Sequence, residues 1–215
     1  MKSSLIQFAL VAFAGLASAA PQGGVLGAIT GVVGPRPIKP SDDPFYTPAA
    51  GFESAKPGAI LRTRPVPNAL SLLQTIPLQL QGAYQILYRT TDAMGNATAT
   101  VTTILIPKNA DFKKVVSYQV AEDSGGQINC APSYGLQSGS DIEFSGTANI
   151  ESALIAAALN QGWVVNTPDW EGPKSTFIDG IGAGQATLDS IRAALASGSF
   201  TNISPEAKVQ MWGYR

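Results

Sequence analysis

Between residues 115 and 212 the sequence changes its hydrophobic period four times, and this alternation restricts the fold more than any other feature. Residues 115–120 are a mostly apolar run. Residues 149–161 then repeat Ile150, Ala153, Leu154, Ala157 and Ala158 at helical spacing, and Gly162 stops them. Residues 163–167 form a second apolar run, closed by Pro168. Residues 184–195 put Leu188, Ile191 and Leu195 on one helical face before Gly198 and a polar stretch at 202–205. The run 208–212 is the last strand. Strand, helix, strand, helix, strand predicts a parallel sheet with crossover helices, because parallel neighbours need a long connection between them.

Upstream the period is that of a hairpin. Tyr84, Ile86 and Tyr88 alternate with Gln85, Leu87 and Arg89. The turn cluster Asp92-Ala93-Met94-Gly95-Asn96 follows, and then a β-rich run at 97–106 that Pro107 ends. Before it, residues 61–80 carry Pro65, Pro67 and Pro77 and leave room for a short helix at 69–75. Residues 22–48 are rich in Gly and Pro, which fixes φ and removes donors. They predict an extended arm that joins the globular part at Phe45-Tyr46.

The first residues have the form of a secretion signal: Lys2, an apolar stretch at 5–16, and Ala17-Ser18-Ala19 as the small-x-small cleavage site. The apolar stretch falls short of the roughly 20 residues that a membrane span needs, so no integral membrane segment is expected. The expected organisation is a signal peptide at 1–19, an arm at 20–45 and a globular part at 46–215, with the protein secreted to the extracellular space.

Composition excludes several functions. Charged residues are 13% of the chain and the net charge is −1, which gives a nucleic acid nothing to bind. The 215 residues contain no His. A Ser-His-Asp triad would therefore lack its base, and a metal site would be limited to carboxylates, so neither metal nor cofactor is expected.

Two polar segments leave strand ends: Ala121-Glu122-Asp123-Ser124-Gly125-Gly126 and Asp169-Trp170-Glu171-Gly172. Ligands of α/β sheets collect at such carboxyl ends. By composition and spacing alone the first reads rather as a polar β-turn. The last strand runs into Gly213-Tyr214-Arg215. Gly213 and Tyr214 fit the first two positions of the Gly-x-Ser-x-Gly elbow of an α/β-hydrolase, and Arg215 stands where the Ser would be.

Several ordered motifs together resemble the fungal secretory lipases, the family of the Candida lipases and lipase A-type enzymes. They are the run 116–124, the run Asn129-Cys130-Ala131-Pro132-Ser133-Tyr134, the loop 169–172, the helix at 180–192 and the strand at 209–214. The resemblance covers roughly residues 45 to 214. It implies an α/β-hydrolase fold, here cut off after the strand that leads into the nucleophile elbow, and lipase or esterase activity on acylglycerols at a lipid–water interface. It implies that Asp123 presents its backbone N–H to the oxyanion. It also puts the nucleophile at position 215, where this chain has Arg215, and the acid and base further downstream. Asp169 and Glu171 are expected to hold the loop above the sheet. The lone Cys130 is expected to pair with a cysteine in the downstream half. Asn96-Ala97-Thr98 and Asn202-Ile203-Ser204 are N-glycosylation acceptors, Asn96 at the hairpin tip being the better placed.

Two functions compete. In one, the chain is part of a secreted triacylglycerol lipase and is inactive as written. In the other, it is a non-catalytic secreted remnant or binding module on the same fold. A structural cell-wall role finds no repeats or Ser/Thr-rich stalk to support it.

Overall fold

The computed structural model describes residues 36–73, 76–122, 125–126, 128–177 and 179–213. Its centre is a mixed sheet whose strands, in chain order, are β1 (Ile60–Pro65), β4 (Leu80–Thr91), β5 (Ala97–Pro107), β6 (Asp111–Gln119), β7 (Trp163–Pro168) and β8 (Lys208–Gly213). A separate two-stranded piece pairs β2 (Ser71–Leu72) with β3 (Ile76–Pro77). The helices are α1 (Pro132–Gly135), α2 (Ile142–Asn160), α3 (Gly180–Ala196) and α4 (Gly198–Thr201).

The spatial order is β1-β4-β5-β7-β6-β8. The expected hairpin is present as β4 and β5, antiparallel over their length, and β7 pairs antiparallel with β5. The expected parallel unit is also present, since β6 lies parallel to both β7 and β8. The chain does not add these three strands side by side. After α2 it places β7 on one flank of β6, and after α3 it places β8 on the other. The carboxyl ends of β6, β7 and β8 therefore share one rim. β4 points the same way as β7, so its turn at 92–96 lies at that rim too.

Each face of the sheet has its own core. On one side Leu105, Val116, Tyr118, Val120 and Val165 pack with Ile155, Ala158 and Leu159 of α2. On the other, Ile86, Tyr88, Ile104, Val115 and Val164 pack with Ala193 and Ala194 of α3. Covering both faces explains why β5 reads as a nearly continuous buried run. Both faces of β4 are covered too. Gln85 and Leu87 are as buried as Ile86 and Tyr88, because α1 and the N-terminal turns cover that face.

Other boundaries shift for local reasons. The helix expected at 69–75 is absent from its described part, where Ser71 and Leu72 are strand. The Ser71 N–H donates to the Leu136 carbonyl and Leu78 N–H to that of Leu70, and Leu73 turns the chain at φ 50°. These tertiary bonds outweigh a local helix preference. α2 starts at Ile142, seven residues before the apolar repeat becomes visible. α3 starts at Gly180, because Asp179 caps it by accepting from Gly182 N–H at 2.9 Å. A Cβ at 182 would clash with that carboxylate, so Gly182 is what lets the cap approach. β6 starts at Asp111, four residues earlier than expected.

Candidate active site

The rim is assembled from three strand ends. At the end of β8, Gly213 lies opposite Gln119, the last residue of β6. A Cβ at 213 would come within 2.3 Å of the Gln119 carbonyl oxygen and 2.6 Å of its nitrogen. Only glycine allows the two strands to leave the sheet this closely. The loop that follows β6 thus starts directly beside the end of β8.

Two carboxylates fasten the start of the β6 loop. Glu151 on α2 accepts from Ala121 N–H at 2.7 Å and from the Tyr118 hydroxyl. Glu122 turns the other way and accepts from Trp170 N–H at 2.8 Å. The Trp170 indole N–H in turn donates to the Val120 carbonyl at 2.6 Å. The loops after β6 and β7 are therefore cross-tied through backbone and side chain.

Glu122 is 7% exposed, and Asp169 is 2% exposed. Burial raises the Glu122 carboxyl well above the usual carboxylate range, and the neighbouring Asp169 and Glu171 charges raise it further. Asp169 is pushed up to about 7, again by burial, against two stabilising bonds from Ser133. Those bonds come from the Ser133 N–H and hydroxyl. Behind Ser133 a polar chain crosses the sheet. The Tyr46 hydroxyl bonds Ser133 Oγ at 2.7 Å, Gln85 Nε2 donates to the Ser133 carbonyl, and Arg64 Nε donates to Gln85 Oε1. Arg64 also pairs with buried Asp43 and lies 4.0 Å above the Phe45 ring. Asp169 ties the start of the loop after β7 to Ser133 of α1. Among the described residues, no group of three or more His, Cys, Asp or Glu could hold a metal.

Between α3 and β8 the rim opens into an apolar groove of about 780 Å³, with Trp170, Phe177, Leu188, Met211 and Trp212 in its walls. On the α3 face of the sheet, Asn166 joins Ser117, Ser190 and Thr102 in a buried network, and Ser117 Oγ accepts from Gln119.

The site residues expected from sequence divide as follows. Asp123, Ser124, Tyr214 and Arg215 lie outside the described residues. Glu122, Asp169 and Glu171 are brought together. Cys130 is half-buried in the turn of helix Ile128–Cys130, before α1. Asn96 is exposed at the β4–β5 turn, and Asn202 is exposed with a left-handed backbone at the end of α4. Sequence reasoning passed over Tyr46, Arg64, Gln85, Glu151 and Asn166. For the last two a signal existed: a charge within the apolar helix repeat, and an amide inside an apolar strand.

Comparison with known proteins agrees with this arrangement. Residues 136–215 match the family model "Secretory lipase". The chain is 53% identical over 180 residues to Lipase A of Arthroderma benhamiae, covering 82% of this chain and 38% of that protein. It is 51% identical over 178 residues to Lipase 4 of Candida albicans, covering 83% and 38%. Its fold superposes on Candida antarctica lipase A in its closed state with a TM-score of 0.73 at 34% identity, covering 84% of this chain and 40% of the other. The architecture is that of an α/β-hydrolase. The chain is thus similar to the secretory lipases over most of its own length, and it spans less than two fifths of the length of the curated relatives it matches.

Proposed function

We propose that the complete protein hydrolyses carboxylic esters of lipids, acylglycerols first among them, outside the cell. The observation that carries this reading is the pairing of Gly213 with Gln119, which brings the end of β8 against the start of the loop after β6. Ester hydrolysis needs such a juxtaposition. A nucleophile attacks the acyl carbon while backbone N–H groups receive the charge that develops on oxygen. In this reading the Asp123 N–H is one oxyanion donor and position 215 is the nucleophile's place. Arg215 cannot attack an acyl carbon, because its guanidinium stays protonated. With no His among the 215 residues, the base and acid come from the portion of the family sequence that this chain does not span.

The same reading sends the chain through the secretory route, with its leader removed near Ala19. The matching family model carries "Secretory" in its name, and no described helix is long and apolar enough to cross a membrane. Asn96, exposed at the rim turn, is the favoured glycan site, with Asn202 second; Cys130 is proposed to pair outside these residues. A competing reading, a non-catalytic secreted module, is favoured by the absence of His and by Arg215.

A chimera separates the two. Residues 36–213 of this chain, placed in Lipase A of Arthroderma benhamiae over the matching segment, should give an enzyme that hydrolyses a p-nitrophenyl ester, and Gly213→Ala should remove the activity. A folded but inactive chimera would reject the hydrolytic reading of these residues.

A further inference from the structure

Gln85, Thr103 and Thr167 form one row across three neighbouring strands. Gln85 of β4 lies opposite Thr103 of β5, and Thr103 lies opposite Thr167 of β7. Both pairs are antiparallel, so the three side chains stand on one face of the sheet, with the Cβ atoms of opposite residues roughly 5 Å apart. All three residues are fully buried. α1 covers the row: it packs on both β5 and β7, and its Ser133 carbonyl accepts from Gln85 Nε2 at 2.8 Å. Gln137, just after α1 and also buried, sends its Nε2 to the same carbonyl at 2.8 Å. Apolar pairs flank the row on this face. Leu105 lies opposite Val165 on one side of it, and Leu87 lies opposite Val101 on the other.

Three polar atoms in this layer have no hydrogen-bond partner among the described residues: Thr103 Oγ1, Thr167 Oγ1 and Gln137 Oε1. Buried polar atoms nearly always find a partner, because leaving one unpaired forfeits its solvation. The three are complementary to one small molecule. The hydroxyls can donate or accept, and the amide oxygen accepts only. A water can donate to Gln137 Oε1 and to one threonine while it accepts from the other. An internal water needs two to four such partners. A cation finds no charged ligand among the three.

We propose that a water molecule is bound beneath α1, held by Thr103 Oγ1, Thr167 Oγ1 and Gln137 Oε1, and that it ties β5 and β7 to the segment around α1. Thr167 lies two residues before Asp169, which is itself bound to Ser133 of α1. The water is thus a second tie between the end of β7 and α1, placed on the inner side of the rim. It does not depend on the hydrolytic reading.

The test replaces each hydroxyl by a methyl in the 215-residue chain. If the hydroxyls are simply bare, Thr103→Val and Thr167→Val relieve a buried orphan and leave the denaturant midpoint unchanged or raise it. With the water bound, each removes one of its three partners and lowers the midpoint. The double variant then lowers it by less than the sum of the two, since both lose the same molecule. Oxygen-17 relaxation dispersion of the solvent reports long-lived internal waters and ignores exchanging hydroxyl protons. Its amplitude should fall by the contribution of one water in either valine variant and keep its native size in Thr167→Ser, which retains the hydroxyl. Valine variants at least as stable as the native chain, or with the native dispersion amplitude, overturn the proposal. If a valine variant does not fold, a crystal structure of the native chain decides: ordered water bridging the three atoms supports the proposal, and its absence there overturns it. Ester turnover is not read, so neither result bears on the hydrolytic reading.

Discussion

The sheet has two edges, and they are built on opposite principles. β1 closes one edge with Arg62, Thr63, Arg64 and Pro65. Arg62 reaches the Pro44 carbonyl, and Arg64 is held by Asp43, Gln85 and the Phe45 ring. Charge and proline on an edge strand discourage another strand from pairing with it. β8 forms the other edge and carries Val209, Met211 and Trp212. Met211 is 60% and Trp212 43% exposed, and the Trp212 ring meets that of Tyr118 edge-on at 5.3 Å. The first edge is finished against solvent. The second is apolar and presents the rim where the proposed chemistry lies.

The polar chain Asp43–Arg64–Gln85–Ser133–Asp169 connects the finished edge to the rim, so titrating its far end should weaken it. Burial raises Asp169 from its ordinary value of 3.8 to about 7. The folded state then holds this proton more tightly than the unfolded one. Its stabilising contribution is complete below about pH 4 and is lost as pH climbs through about 7, by at most about 4 kcal/mol. Denaturant midpoints across that range should fall with pH, and Asp169→Asn should flatten the slope. Next in size is Arg64→Leu. It strands the buried Asp43 carboxylate and the Gln85 amide, and should cost about 2–3 kcal/mol in chemical unfolding. An equal loss from Arg62→Leu, which removes only one exposed bond, would break the account of this edge. The smallest effect on stability is expected at the other edge. Trp212→Ser should change the unfolding free energy by less than about 0.5 kcal/mol. It should nevertheless reduce self-association of the 215-residue chain in light scattering, because an exposed apolar edge is an aggregation hazard. A monomeric native chain with a sharp thermal transition would contradict the open-edge description.

What could be read from sequence follows the same division. The strand–helix alternation from residue 115 and the hairpin around Gly95 were legible because covering both faces of a sheet leaves periodic apolar runs. The order of the strands was not legible, since β7 and β8 taking opposite flanks of β6 depends on where α2 and α3 pack. The early start of α3 was hidden by Gly180, Gly182 and Gly184, which read as loop until the Asp179 cap is seen. At the rim, the segments 121–126 and 169–172 were found by their position after strands. The cross-tie between them was not found, because Glu122 and Trp170 are 48 residues apart in sequence. Gln85, Ser133 and Tyr46 are individually ordinary residues and acquire meaning only when folding joins them.

In the proposed reading, these residues supply the scaffold and rim of an ester hydrolase, and the groups that turn the ester over lie outside them. The most direct test is hydrolysis of a p-nitrophenyl ester by the purified 215-residue chain. A Ser without an adjacent base is a weak nucleophile, and a bare oxyanion loop acts only on a bound, oriented substrate. The account predicts a rate indistinguishable from that of the heat-denatured chain. Turnover by the folded chain alone, abolished by Asp123→Pro, would contradict it.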